Sequence, residues 1–301
     1  MRPIHFIELL LLSAIWGGSF MFMRISAPEF GTLALATFRM SIAGITLLPI
    51  FLFYWQRRLA LPYSSNSSVS NKQVTKHIWF VALFNSVLPM FLFAYAAANL
   101  DAGFASILNA TTPLWGALIG ALMYANKLSK IGVTGLLVGF IGVIILSFDK
   151  VSGNIDQGFL SVIAIVTATA LYGFSANYSK KYLAGVKPLF IAAASLFWGA
   201  IMMLPILIYS LPDLSAITTQ AWVSLLALGM LSTGLAYILY YRIIAHSGPT
   251  KAMMVTYLIP VFGVLFGYLF LSEQLTINIF YGGALILFGV AITTGVFFKR
   301  K

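Results

Sequence analysis

The chain has 301 residues, 60% of them hydrophobic and only 8% charged, with a mean hydropathy of +0.96. Water-soluble domains run near a quarter charged, so 18 basic and 7 acidic residues cannot clothe a solvent-facing surface of this size; soluble enzymes, DNA-binding proteins and secreted modules are excluded. The net charge of +11 would suggest nucleic acid in a soluble protein, but orientation of a membrane protein accounts for it, so the expected partner is the bilayer and no nucleic acid.

The N-terminus, with Arg2, His5 and an apolar run, has the outline of a signal peptide. It lacks a convincing small-x-small cleavage site and apolar segments continue to the other end, so it is read as the first span. Further spans follow, giving ten predicted helices at 5–25, 33–55, 77–98, 102–124, 131–149, 158–180, 188–209, 219–241, 250–271 and 277–297. The one roomy connection runs from Arg57 to Lys76, with a polar centre at Tyr63–Ser68. The expected fold class is an all-α integral membrane bundle of ten transmembrane helices. No cysteine is present, which removes thiol chemistry, Cys-ligated zinc and disulfides from consideration.

Counting Lys and Arg sets the orientation. With the N-terminus cytoplasmic, 15 of the 18 basic residues fall in inner segments and only Arg24 and Lys150 in outer loops, while Arg39 lies within a span. Glu29, Asp101, Asp149, Asp156, Asp213 and Glu273 fall outside. One missed or extra span would scramble every later loop, so the positive-inside rule supports ten spans with both termini in the cytoplasm.

An internal repeat divides the chain. Shifted by 147 residues, Ala105–Ile145 falls on Ala252–Ile292 without a gap and with 11 of 41 positions identical, among them Pro113/Pro260, Gly116/Gly263, Gly135/Gly282 and Gly142/Gly289. A weaker echo at offset 156 pairs Gly17 with Gly173 and Ser19 with Ser175. Two five-helix units, 1–149 and 150–301, are expected. Five is odd, so the second unit must enter the membrane from the opposite side. The loops agree: Asn126-Lys127-Leu128-Ser129-Lys130 is basic, whereas its partner Glu273-Gln274-Leu275-Thr276-Ile277 has one carboxylate and no lysine. Inverted repeats are the architecture of alternating-access transporters.

Trp16-Gly17-Gly18-Ser19-Phe20, Phe38-Arg39, Thr112-Pro113-Leu114 and the hairpin Ser272-Glu273-Gln274-Leu275 resemble the marks of the EamA-type transporters of the drug/metabolite transporter superfamily. The resemblance spans the whole chain as two repeats. It implies a ten-helix bundle around a central cavity, usually exporting amino acids or related small metabolites from bacteria. Asn126-Lys127 departs from the pattern, because an acidic residue is common there.

The spans carry little charge. No carboxylate or histidine lies near the middle of any predicted span, so a carboxylate-centred proton exchanger is disfavoured, as are metal sites and acid–base catalysis; no metal, cofactor or enzymatic activity is expected. Glu8, near the start of span one, could be a proton or cation site, or a side chain snorkelling to the interface. Arg39 lies about six residues into span two, roughly 9 Å deep at 1.5 Å per residue. A central Arg costs around 2.5–3.5 kcal/mol on insertion scales. A stem reaching the outer headgroups is the favoured reading, against attraction of a substrate carboxylate.

Neutral polar faces are the better site. On span three, Asn85, Pro89 and Asn99 share a face; on span four, Asn109, Pro113 and Gly116, with Thr112 and Trp115 beside them; on span nine, Thr256, Pro260 and Gly263, with Tyr257 alongside. Buried amides and hydroxyls need partners in lipid, so these faces should point inward. Pro89, Pro113, Pro260, Gly116 and Gly263 are the expected hinge positions, although Gly116-x-x-x-Gly120 and Gly263-x-x-x-Gly267 also suit close helix packing. Trp16 with Ser19, Tyr172 with Ser175, and Tyr237 with Tyr240 add aromatic planes and hydroxyls, a lining suited to a zwitterion with an apolar or aromatic side chain; Trp16 and Tyr172 should face each other across the pseudo-twofold. The expected function is a secondary transporter of the bacterial inner membrane, exporting amino acids or related metabolites through a largely uncharged cavity lined by spans one, three, four, six, eight and nine. Alternatives are a proton-coupled multidrug or cation exporter using Glu8, and a non-transporting membrane protein.

Overall fold

The computed structural model describes residues 3–56, 71–124, 128–151 and 157–295. The polar loop Tyr63–Ser68 and the hairpin residues Asn126 and Lys127 lie outside them. All regular structure among the described residues is helical, as expected where lipid offers the backbone no hydrogen-bond partner. The helices are α1 (Pro3–Phe30), α2 (Thr32–Gln56), α3 (Lys72–Asn99), α4 (Ala102–Met123), α5 (Lys130–Phe148), α6 (Gln157–Tyr182), α7 (Pro188–Ser210), α8 (Thr219–Ser247), α9 (Val255–Leu271) and α10 (Ile277–Thr293). Eight are long and apolar enough to cross a membrane; α9 and α10 have 17 residues each. These ten coincide with the ten predicted spans to within a few residues, except that α8 runs on to Ser247. A single glycine, Gly31 at φ +71°, turns the chain between α1 and α2; a side chain would be strained in that left-handed conformation.

Glycines set how closely the helices approach. Gly135 and Gly139 of α5 lie against Gly289 of α10, and Gly142 and Leu146 lie against Gly282. The α5 number rises as the α10 number falls, so the two helices run antiparallel. Each contact also has a twin under the offset of 147: Gly135–Gly289 maps onto Gly282–Gly142, and Gly135–Thr293 onto Gly282–Leu146. Gly17 of α1 meets Gly263 of α9, and Gly173 of α6 meets Gly116 of α4, again related by the offsets of 156 and 147.

Two helices contain π-helical segments, and α7 has a 3-10 turn at Leu204–Ile206. In α3 the turn Leu83–Val87 is π-helical, and in α8 the segment Ala227–Leu235 is too. Pro89 has no N–H for the carbonyl of Asn85 four residues back, which accounts for the first irregularity. Thr233 Oγ1 donates to Leu228 O five residues back at 2.8 Å in the second. The helix interruptions sit differently relative to the matched prolines of the two halves. Helix α4 is interrupted at Ala110–Thr111, just ahead of Pro113. Pro260, its repeat partner, sits inside an unbroken helix, and the interruption in that half falls at Met253–Met254.

Polar ties close both ends of the bundle. At one end Arg24 donates to the carbonyls of Ala97 and Ala98 at the C-terminus of α3, where the helix dipole favours a cation. Glu29 accepts from the Thr218 N–H and hydroxyl at 2.6 and 2.8 Å. Glu273, in the loop between α9 and α10, accepts from the N–H groups of Ala102 and Gly103 at 2.6 and 3.0 Å. It thereby caps α4, whose own N-cap residue Asp101 makes no side-chain cap bond. Burial pushes the Glu273 carboxyl above its ordinary value, and the two amides pull the other way. At the opposite end Glu8 pairs with Arg242 at 2.9 Å and with His5 at 3.0 Å, and the His5 ring stacks on His246.

Candidate functional site: a central cavity

The bundle encloses a cavity of about 270 Å³. Its wall takes Trp16, Ser19, Phe20 and Met23 from α1, Arg39 from α2, Asn85, Ser86, Met90 and Phe93 from α3, and Asn109 and Thr112 from α4. Tyr172 of α6, Ser232, Thr233 and Tyr237 of α8, and Thr256 and Ile259 of α9 complete it. Both π-helical segments thus open onto it, consistent with the general association of such turns with functional sites. The halves contribute equivalent positions. Adding 147 to Asn85, Ser86, Met90, Asn109 and Thr112 gives Ser232, Thr233, Tyr237, Thr256 and Ile259, and adding 156 to Trp16 gives Tyr172.

The wall is held by cross-helix bonds. Trp16 Nε1 donates to the Ser232 carbonyl at 3.1 Å, and the Ser232 hydroxyl donates to the Ile15 carbonyl at 3.3 Å. The Trp16 ring lies edge-on to Tyr237 and 5.3 Å from Tyr240. Tyr172 stacks with Phe93, which meets Phe20 edge to face. Trp16 and Tyr172 therefore share the cavity, but each has its own aromatic neighbours rather than the other.

Arg39 departs from expectation. Its guanidinium points into the bundle, Nε donating to Thr233 Oγ1 at 3.1 Å and Nη1 lying 3.0 Å from Met23 Sδ. The stem does not run to the outer headgroups, and among the described residues the cavity wall is neutral except for this one cation. Depth alone does not fix where Arg39 points; α2 and α8 approach closely there, Gly229 lying against Ile42 and the Arg39 carbonyl.

Eight of the expected binding residues line the cavity: Trp16, Ser19, Asn85, Asn109, Thr112, Tyr172, Tyr237 and Thr256. Five do not. Asn99 bonds back to the Tyr95 carbonyl, Trp115 packs on Phe140, and Ser175 is buried one turn beyond Tyr172. The Tyr257 hydroxyl pairs with Thr294. Tyr240 lines a second cavity of about 490 Å³, which shares Asn85, Ser86 and Tyr237 with the first and extends toward Lys180, Leu183 and Pro188. Gly116 and Gly263 serve close helix contacts, and the Pro89, Pro113 and Pro260 side chains are not in the cavity wall. Glu8 lies eight residues before Trp16, about 12 Å along the helix, and is absent from the wall. Being 8% exposed and tied to Arg242, it does not snorkel. Glu8→Gln is expected to cost about 1 kcal/mol, since Arg242 is largely exposed and can be re-solvated; thermal unfolding in detergent measures it. Ser232 and Thr233 were missed, although the 147-residue offset applied to span three marks both.

A bundle of apolar, membrane-length helices around a polar, aromatic-lined hollow is that of a multi-pass membrane transporter. The chain belongs to the EamA-like transporter family, whose model matches it twice, over residues 5–148 and 159–295. Relatives include the uncharacterized transporter YoaV of Bacillus subtilis, 27% identical and covering 96% of both chains. Another is the uncharacterized inner membrane transporter YedA of Escherichia coli K12, 24% identical over 95% of this chain and 89% of its own. A crystal structure sharing 16% identity aligns over 98% of each chain with a TM-score of 0.64, which supports the fold.

Proposed function

We propose that this protein is a secondary transporter that carries amino acids or related small metabolites outward across a bacterial inner membrane, with both termini cytoplasmic. The two five-helix units are read as inverted copies, supported by the antiparallel meeting of the equivalent helices α5 and α10. The observation that carries the reading is the pairing of cavity-wall residues across the two halves. A site built from equivalent positions of two units can be exposed to either side by rocking one unit against the other. The larger second cavity, reaching toward Lys180, is then the route from the cytoplasm, with Tyr237 and Asn85 on the wall shared by both. Facilitated diffusion or exchange fits best, since among the described residues no acid lines the central cavity.

A cation or multidrug exporter coupled through Glu8 fits less well. Arg39 repels cations from the cavity, and Glu8 is already engaged by Arg242 and His5 outside it.

Counterflow in proteoliposomes tests the proposal. The purified protein is expected to exchange amino acids or related metabolites, and Trp16→Ala and Asn109→Ala are each expected to cut the rate at least tenfold at normal expression. Wild-type rates in both variants would remove this cavity from the transport path.

A further inference from the structure

We infer that the solute carries a carboxylate, docked on Arg39, and that its recognition does not require an amino group. The inference rests on the proposed transport reading and names the chemical class that the cavity selects. Arg39 is, among the described residues, the one charged residue in the wall. Among the described residues no carboxylate lies within ion-pairing distance of it; both ion pairs found there belong to Glu8. The titratable groups that face it are two phenols, Tyr172 and Tyr237.

A guanidinium has five N–H donors in a planar fork. Here one meets the Thr233 hydroxyl and another a thioether, which is a weak acceptor. Arg39 itself lines a hollow holding on the order of ten water volumes. An uncompensated cation at this depth is costly, and intramembrane charges of this kind mark solute pathways. A carboxylate is the planar partner that matches the fork in a bidentate geometry.

Among its described residues the rest of the wall has no carboxylate to pair with an ammonium group. Asn85, Asn109, Ser86, Thr112 and Thr256 are neutral, and Phe20, Phe93, Trp16, Tyr172 and Tyr237 offer ring surface to an apolar or aromatic body. The electrostatics therefore select a small organic monocarboxylate, with an amino acid accepted through its carboxylate. An amine lacking that group is rejected by like charge.

Three probes of matched shape separate these features: 3-phenylpropanoate, phenylalanine and 2-phenylethylamine, titrated by calorimetry against the full-length protein in detergent. Both acids are expected to bind, and the amine at least tenfold more weakly. Arg39→Gln is expected to weaken phenylpropanoate at least tenfold without weakening the amine, and Arg39→Lys, which keeps the charge and loses the fork, to fall between. If Arg39→Gln does not elute as a folded protein, the ranking of the three probes on the wild type decides, together with Thr233→Val, which removes the oxygen that holds Nε and is expected to weaken the acids. Amine binding equal to that of the acids, or acid binding indifferent to Arg39→Gln, overturns the carboxylate assignment and leaves the transport reading standing. No binding by any probe overturns it too. Only when Trp16→Ala and Asn109→Ala also leave counterflow untouched does the transport reading fall with it.

Discussion

Gly173→Ala is expected to destabilise the bundle by about 2–3 kcal/mol, whereas Gly116→Ala, in the same contact, is expected to be neutral or stabilising by about 0.5–1 kcal/mol. The difference is geometric. A methyl group on Gly173 would lie 2.6 Å from the Gly116 nitrogen and 2.8 Å from the Trp115 carbonyl carbon. Those are backbone atoms of α4, which cannot turn aside, so α4 and α6 must separate. A methyl group on Gly116 meets only the Gly173 Cα at 3.8 Å, an ordinary contact, and the alanine restricts the unfolded backbone. Thermal unfolding of the two variants side by side checks the claim; equal melting temperatures would show that the α4–α6 seam is loose. Since α4 carries Asn109 and Thr112 and α6 carries Tyr172, opening this seam should also depress transport.

The second large effect is expected at Glu273. Its carboxylate takes two backbone N–H groups at the start of α4, and hydrogen bonds to a charged acceptor contribute about 1.5–3 kcal/mol. Glu273→Ala leaves both donors without their acceptor and is expected to cost about 2–3 kcal/mol. The position is coupled to Gly267, where a methyl group would overlap Glu273 Oε2. Gly267→Ala should therefore be harmful in the wild type and much milder in the Glu273→Ala background. A double-mutant cycle on unfolding midpoints reads that coupling directly; additive losses would mean that the carboxylate does not occupy the notch left by the glycine.

The same contact gives a physical reading of the unusual first hairpin. The Ala102 amide captured by Glu273 has Pro249 as its counterpart 147 residues on. Proline has no N–H, so an acid at position 126 would find one donor fewer to bind, and Asn126 stands there instead.

Much of the fold was legible because lipid imposes simple rules. Apolar runs gave the ten helices, and matched Gly and Pro positions gave the repeat. The cavity was legible where a polar side chain sat in mid-helix, as with Asn85, Asn109 and Thr112. It was not legible where direction around the helix decided the matter. Period-3.6 reasoning put Asn99 on the Asn85 face, but a π turn lies at Leu83–Val87 and Asn99 bonds within its own helix. Trp115 and Ser175 sit one turn too far along their helices to reach the hollow. Arg39 was read by depth alone, which cannot tell a side chain aimed at lipid from one aimed at Thr233 across a neighbouring helix.

The seam between α5 and α10 carries one more consequence. Every close contact in it recurs with the roles of the two helices exchanged, so each five-helix unit displays both the ridge and the groove required to grip a copy of itself.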